Sequence, residues 1–504
     1  MILLVDRVTS LRYRHYLKKY LEENPKCQIQ IPRLSLSQFI ICLIYLIVLP
    51  FLSLIVFLEV ARTSTKFSSA FMMLVPVIWT RKKVCRIQQG HQKTYLKFKN
   101  TFNSSLANTS NTLNLAKANR QEITASSHLH LFSSLFPFST NNKYLSLSRA
   151  KSTNSHDDTY DVVARLPYLA SVVDTYENVL CHYFHALRKI SQSKDSNPNL
   201  FLNCEMITMS RRFIVRQIIM RLMYDIYKVI TRTIFQTKYI WQVRVQIMNS
   251  DSIQHVIDLD NPKNGYYADP FLFQYGGEIF LFVEEYSFAK SKGVITVFKL
   301  MKNSFHKVGV CLEESFHLSF PNVFIDGTDI YMIPESSANN DIRLYKAHNF
   351  PLGWNQIATM VEDISAVDTI LHKANEKYYL LTSVDKNNVG DHFTNLYIYE
   401  SCELESSSWT PSAHNPVIVD AERGRNAGSV HSNSQRNIRV AQAFEFGTYG
   451  KKICFFEIQN LSLECYSEVK IGWPTLMIPP DAHGHHHLST VENIFAFDFS
   501  KFRR

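Results

Sequence analysis

From about residue 240 onward, apolar and polar positions alternate in short runs, and the runs recur. ADPFLFQYGGEIFLFVEE begins at Ala268, FPNVFIDGTDIYMIPES at Phe320 and VDTILHKANEKYYLLTS at Val367. The first two align without gaps at an offset of 51, pairing Pro270 with Pro321, Gly276 with Gly327 and Glu284 with Glu335. The first and third align at 99, pairing Asp269 with Asp368 and Phe280 with Tyr379. A fourth copy, AGSVHSNSQRNIRVAQ, fits at 158 and pairs Glu284 with Gln442. A looser fifth, HGHHHLSTVENIFAFD, begins at His483. Each copy reads as an apolar strand, a Gly, Asn or Asp turn, and a second apolar strand, which is a hairpin signal. Two further β-rich runs follow, such as GVITVFKL (293–300) and HKVGVCLEE (306–314). Four strands repeated about every 50 residues describe propeller blades. Five copies predict an all-β, five-bladed β-propeller over residues 241–504. No outer strands follow the fifth copy. WQVRVQI (241–247) and IQHVI (253–257) stand just before blade one and are expected to supply them, closing the ring and removing its open edge.

The N-terminal half has a different pattern. Residues 39–58, FIICLIYLIVLPFLSLIVFL, form a 20-residue run without a charge, long enough for a transmembrane helix. Pro50 within it is tolerable in a membrane helix. The 38 residues before the run hold seven Lys/Arg, and the 20 after it hold only Arg62 and Lys66. The positive-inside bias therefore predicts a basic cytosolic arm over 1–38 and a lumenal remainder, a single-pass type II topology. The apolar run at 67–79 has 13 residues, too short to span, and suits an interfacial or re-entrant segment. Residues 59–155 read as a basic, Ser/Asn-rich stem, too poor in apolar burial to offset ordering. Residues 156–240 read as a helical segment, with Ile214, Ile218, Leu222, Ile226 and Ile230 at helical spacing and Arg212, Arg216 and Lys228 alongside. Packing against a neighbouring domain is the expected use of that helix, and lying on an anionic membrane is the alternative. An anchor followed by a stem resembles Golgi residents, so the Golgi or another secretory compartment is expected. Asn103, Asn108 and Asn460 match the glycosylation acceptor triplet.

Charge sharpens this division. Residues 1–155 carry 21 Lys/Arg and 5 Asp/Glu, a net of +16, whereas the remainder carries 33 and 39, a net of −6. A basic arm of this kind faces an anionic surface, and without a nucleic-acid-binding motif that surface is expected to be membrane. The nine cysteines include no C-x-x-C pair, which argues against a structural zinc site. Cys454 and Cys465 could face each other across a hairpin turn near Asn460, but two free thiols are the expectation.

The repeat also locates candidate chemistry. In an antiparallel hairpin, the start of the first strand and the end of the second lie at one end. Asp269 and Asp368 start first strands, while Glu284, Glu335 and Gln442 end second strands, so all five should rim one mouth of the central funnel. Arg423, Arg425, His485 and His486 precede the first strands of blades four and five, and His317 precedes blade two; these should join the rim. Asp269, Glu284, Glu335 and Asp368 are the catalytic candidates. His317, Arg423, Arg425, Gln442, His485 and His486 are the substrate-binding candidates, suited to hydrogen bonding with sugar hydroxyls. There is no glycine-rich phosphate loop, and the D-x-D triplet Asp258-Leu259-Asp260 reads as a solvated turn. In the run His483, His485, His486, His487, strand alternation would let at most two imidazoles converge, so no metal or other cofactor is expected.

The runs YYADPFLF, FVEE, KGVITVF, FHLSFPNVF, YMIPES, LYKAHNFPLGW, RGRNAGS and AQAFEFGTYG resemble the N-terminal domain of plant glucosamine inositolphosphorylceramide transferases and their bacterial relatives. Together they span roughly residues 241–499. That domain is similar to the five-bladed propeller of arabinanase- and xylosidase-type glycosidases, where an Asp opening the first blade is the general base and a Glu elsewhere in the funnel is the general acid. Asp269 matches that Asp. The second-blade acidic position reads Phe320 or Asn322 here. The resemblance places glycosyl transfer in a separate exostosin-like domain after the propeller, which the sequence up to Arg504 lacks, so transfer by this chain alone is not expected. The expected function is therefore a membrane-anchored propeller that recognises a glycan or glycosphingolipid and assists a separate glycosyltransferase subunit. One alternative is an active carbohydrate enzyme, a glycoside hydrolase or glycosyltransferase, with two funnel carboxyls of separated pKa as acid and base. A plain protein-interaction propeller is the other.

Overall fold

The computed structural model describes residues 238–503, apart from 250–251, 387–389, 433–435, 446–447 and 473–475, together with short strands and a few residues between positions 2 and 203. The chain divides into two compact units, Met1–Lys228 and Val229–Arg504. The predicted membrane span at 39–58, the run at 67–79 and the amphipathic stretch at 205–236 lie outside the described residues. Among the described residues no helix is long and apolar enough to cross a membrane. Two stretches of this unit are described as strands. Within the predicted stem, Lys83–Gln89, Gln92–Lys99 and Thr112–Lys117 form a three-stranded sheet. The alternation of Leu96 and Phe98 with Lys97 and Lys99 is a strand period that low overall hydrophobicity concealed. Within the predicted helical segment, Tyr160–Leu166 is a strand, favoured by its β-branched Val162–Val163 pair.

The second unit is built from five antiparallel sheets. Blade one runs Gly265–Tyr275, Glu278–Ser287, Lys292–Met301, Ser304–Leu312, and blade two Ser319–Asp326, Asp329–Ser336, Asp341–Asn349, Gly353–Val361. Blade three pairs Ala366–Ala374, Lys377–Val384 and Asn395–Ser401, with its outer edge split into Thr410–Pro411 and Ile418–Val419. In blade four the inner edge is split, into Arg425–Asn426 and His431–Ser432, ahead of Asn437–Glu445, Thr448–Leu461 and Tyr466–Ile471. Blade five takes its two inner strands, Leu488–Val491 and Ile494–Arg503, from the end of the chain. Its two outer strands, Lys238–Asn249 and Ser252–Asp258, come from before blade one. The closing ladder runs from Lys238 opposite Arg503 to Ile247 opposite Ile494, which is the ring closure the repeat predicts.

Burial follows position within a blade. Inner strands are sandwiched between neighbouring blades and are apolar on both faces, with Phe271, Phe273, Phe280 and Phe282 on one and Leu272, Leu281 and Val283 on the other. The outermost strand of blade one, SFHKVGVCL, is mostly exposed and correspondingly polar. Each fully buried Phe or Leu contributes about 1.5–3 kcal/mol from transfer alone. The hairpin turns keep the repeat in register: Gly276 and Gly327 have φ of 61° and 62°, a left-handed conformation that glycine adopts freely.

One irregularity recurs with the repeat. The inner strand bulges between Ala268 and Phe271, between Ser319 and Asn322, and between Val367 and Ile370. The first residue of each bulge is left-handed, with φ of 50° at Asp269, 46° at Phe320 and 49° at Asp368. For L-residues this conformation costs about 1–2 kcal/mol, so surrounding contacts must hold it. A bulge re-aims the side chain it carries. Here it does so at the same end of three successive blades.

Cys454 and Cys465 are free thiols, one buried in a strand and the other exposed in the turn where the Ser462 amide meets the Cys465 carbonyl. Asp258 of the D-x-D triplet is held by Arg244, whose Nε and Nη2 donate to its two oxygens at 2.6 and 2.8 Å.

Candidate functional site

The bulges bring carboxylates together at one end of the funnel. Asp269 Oδ2 accepts the Phe320 amide at 3.2 Å, so the bulge of blade two caps the carboxylate of blade one. The Asp368 amide donates to Glu335 Oε2 at 3.4 Å, linking blades three and two. Arg425 from blade four grips Asp368 with both prongs, Nε to Oδ2 at 2.5 Å and Nη2 to Oδ1 at 3.2 Å, and its Nη2 stands 3.9 Å from Glu335. Gln442 Nε2 adds a third donor to Asp368 at 2.9 Å. Tyr449 and Phe393 flank the guanidinium at 4.9 and 5.5 Å from their ring centres.

Behind Arg425 stands a fully buried support. Arg439 donates from Nε and Nη2 to Glu468, each at 2.8 Å, and from Nη1 to Asn426 Oδ1 at 3.0 Å. Asn426 in turn donates to the carbonyls of Asp368 and Leu381. The position of Arg425 is thereby fixed by a network reaching into the outer strand of blade four.

On the other side, the Gly293 amide donates to His317 Nδ1 at 2.8 Å, which leaves Nε2 as the protonated nitrogen, 3.6 Å from Glu284 Oε1. A Cβ on Gly293 would lie 2.7 Å from that same oxygen and 2.5 Å from the Leu318 carbonyl, so only glycine fits under this pair. In blade five, His486 Nδ1 donates to Asp498 Oδ1 at 2.7 Å, and its Nε2 stands 3.3 Å from Asp269 Oδ1. Trp241, from the closing strand, stacks on His486 with ring centres 3.8 Å apart.

The electrostatics are uneven. Burial, with the negative charges of Asp269, Glu335, Asp498 and Asp368, pushes Glu284 well above the usual carboxylate range. Burial acts the same way on Asp269, but His487, His486 and Arg425 outweigh it and hold that carboxyl at about 2. Burial pushes Asp368 up to about 7 against the pull of Arg425. Burial also opposes the charged form of His486, yet Asp498 and Asp269 raise its pKa. The mouth thus sets a carboxyl pushed toward its neutral form beside one held in its ionised form.

Of the ten residues singled out from sequence, eight meet here: Asp269, Glu284, Glu335, Asp368, His317, Arg425, Gln442 and His486. Two do not. Arg423 turns outward, its Nε 3.1 Å from Asp420 and its Nη1 3.6 Å from Glu468, because alternate residues entering a strand share a face only when the strand is regular. His485 accepts the Ile453 amide on Nδ1 at 3.2 Å, and burial pushes it down to about 4. Sequence reasoning missed Asp498, His487, Trp241 and Tyr449. Asp498 had one signal, a lone charge within the apolar strand FAFDFS.

A closed ring of five antiparallel blades with a buried polar mouth defines a five-bladed β-propeller. Residues 233–483 match the model of the family described as glucosamine inositolphosphorylceramide transferase 1, N-terminal. The chain is 35% identical over 218 residues to the glucosamine inositolphosphorylceramide transferase 1 of Arabidopsis thaliana, covering 42% of this chain and 28% of that protein. The protein of that name from Oryza sativa subsp. indica is 32% identical over 222 residues, with the same coverage. The chain thus spans little more than a quarter of these relatives' length. Among solved structures, the alpha-L-arabinanase of Cellvibrio cellulosa complexed with arabinohexaose is similar at 14% identity and a TM-score of 0.32, over 40% of this chain and 77% of that one. The GH62 alpha-L-arabinofuranosidase catalytic domain of Coprinopsis cinerea is similar at 13% identity and a TM-score of 0.36, over 46% and 80%.

Proposed function

We propose that the propeller recognises the sugar-bearing headgroup of a glycosphingolipid, serving glycosphingolipid glycosylation as a binding module rather than as the transferase itself. The observation that carries this reading is the convergence of polar side chains from all five blades on one mouth. Most of their charge is already engaged within the protein. Asp368 is held by Arg425 and Gln442, and Asp498 by the amides of Asp269, His486 and His487. What is left is directional and carries little charge: Glu284, which burial pushes toward its neutral form, the His317 imidazole, and a Gln442 Oε1 that has no partner. Such groups suit hydroxyls. The family's name supplies the lipid class, and the uncharged run at 39–58 with its flanking charge bias supports a type II anchor that would hold the module at a secretory, Golgi-type membrane. A separate glycosyltransferase subunit is the partner this arrangement calls for.

The full chain, reconstituted in detergent, would be assayed against vesicles carrying inositol-phosphate sphingolipids with and without attached sugar, and any released or transferred sugar would be quantified. Binding that depends on the sugar, falls about tenfold in Glu284→Gln and His317→Ala, and occurs without turnover is the expected outcome. Turnover abolished by Glu284→Gln would replace recognition with catalysis. Indifference to the sugar would leave a protein-interaction propeller.

A further inference from the structure

Asn460 opens the triplet Asn460-Leu461-Ser462 and is exposed near the end of Thr448–Leu461, beside the turn that leads into Tyr466–Ile471. Its exposure has a structural cause. The pairing of these two strands shifts between Ile458 and Asn460, and this bulge leaves Gln459 and Asn460 both exposed, where a regular strand would alternate them. Asn460 Nδ2 donates to Ser467 Oγ at 2.7 Å, which puts the two side chains on one face of the hairpin. Val469 is two residues beyond Ser467 on the same strand, so it shares that face, about 7 Å further along. It is 56% exposed, more than any other large apolar side chain among the described residues except Phe502. Its strand is the outermost of blade four. An exposed edge strand that carries an apolar side chain is a template for pairing with a second copy unless something covers it.

We propose that Asn460 carries an N-linked glycan and that this glycan covers the Val469 face of the blade-four edge. The proposal rests on the lumenal placement of the propeller proposed above. The donor is an oligosaccharide on a polyprenyl diphosphate. The bond from Asn460 Nδ2 to the anomeric carbon forms as that carbon's bond to the diphosphate oxygen breaks. The diphosphate leaves with the electron pair, and one amide proton passes to a base of the transferring enzyme. A primary amide has two hydrogens, so the one that remains can still serve Ser467. Such a glycan is bulky and solubilising, and its attachment point places it beside Val469. The hairpin has no other use for that face. On the opposite face of the edge strand, Glu468 is buried against Arg439 at 2.8 Å. The turn is closed on itself, with Ser462 Oγ accepting the Glu464 and Cys465 amides at 3.2 and 3.1 Å. Asn460 also belongs to the outer hairpin of its blade, whereas the mouth is lined from inner strands, so the glycan and the recognition site are separate.

The test expresses the full chain in a eukaryotic cell and isolates its microsomes. Protease protection reports the side on which the propeller lies. Peptide-N-glycosidase digestion in heavy-oxygen water, followed by peptide mass spectrometry, reports whether Asn460 was modified. The expected result is a protected propeller, isotope label at position 460, and one glycosidase-sensitive step lost from the mobility of Asn460→Gln. That substitution is used rather than Ser462→Ala because the Ser462 hydroxyl holds the turn. In detergent, Asn460→Gln should self-associate at about tenfold lower concentration than wild type, the worth of burying one valine, and adding Val469→Lys should reverse this. Enzymatic removal of the glycan from the folded wild type gives the same comparison should the variant fail to fold. A protected propeller with Asn460 unmodified overturns the proposal and leaves the type II reading standing, whereas a propeller digested from the cytosolic side overturns both. Association that is unchanged without the glycan, or that Val469→Lys does not reverse, overturns the covering role.

Discussion

Replacing Arg439 with methionine removes a charge from the interior of blade four while keeping most of the side chain's length and its packing near Phe456. The wild-type guanidinium is fully buried against a Glu468 whose side chain is 1% exposed. It donates two bonds of 2.8 Å to that carboxylate, one of 3.0 Å to Asn426 and one of 2.8 Å to the Arg423 carbonyl. Breaking a buried pair by removing one partner costs about 3–5 kcal/mol, chiefly because the other charge is left without compensation. Tyr466 remains on Glu468 at 2.6 Å and Arg423 at 3.6 Å, which places the expected loss near the lower end. At about 2–4 °C per kcal/mol for a unit of this size, the propeller's Tm should fall by roughly 10 °C. Urea unfolding followed by tryptophan fluorescence would measure the loss directly. The double variant Arg439→Met/Glu468→Gln should recover part of it, since the stranded carboxylate is then neutral. A loss below about 1 kcal/mol in the single variant, the value of an exposed pair, would refute the argument that this network holds Arg425 in place.

Three further outcomes follow from the same geometry. Glu284 is pushed up in the folded state, so the folded protein binds its proton more tightly than the unfolded chain does. That contribution is complete below an unfolded value of 4.5 and is lost as pH rises through the folded value; Glu284→Gln should flatten this decline in a pH series of melting curves, and a parallel decline in the variant would refute it. Gly293→Ala forces a Cβ to within 2.7 Å of Glu284 Oε1 and 2.5 Å of the Leu318 carbonyl; about 1–3 kcal/mol should be lost on thermal unfolding, with weaker sugar-lipid binding, and a neutral result would mean that the strand shifts freely. Trp241→Ala deletes the ring stacked on His486 and part of the closing strand; a loss of about 3–5 kcal/mol is expected, against under 1 kcal/mol if the closing strand were dispensable.

The ring was legible in the sequence because each blade repeats the same strand–turn–strand chemistry, with equivalent glycines adopting the same φ at Gly276 and Gly327. Closure followed from counting: five hairpins with four sets of outer strands leave one set to be found, and residues 238–258 supply it. The mouth was legible for the same reason, since hairpin direction alone places Asp269, Glu284, Glu335, Asp368 and Gln442 at one end. Failure begins where the repeat is irregular. Arg423 and Arg425 were both expected at the rim because they precede the first strand of blade four, but the inner edge of that blade is broken after Asn426, and only Arg425 reaches Asp368.

His486 and His487 show the converse. Strand alternation separates adjacent residues, so the histidine run was not expected to assemble a ligand set. The chain there is not a strand: Asp498, on the adjoining last strand, gathers the amides of both histidines onto one oxygen, and both rings stand near Asp269. Neither that carboxylate nor the left-handed backbone at Asp269 leaves a periodic trace, because each satisfies a single local need. Periodicity reports what every blade must do to pack. The chemistry of the mouth depends on what one blade does differently, and that difference is encoded in contacts between residues 229 positions apart, such as the Asp269 amide and the Asp498 carboxylate.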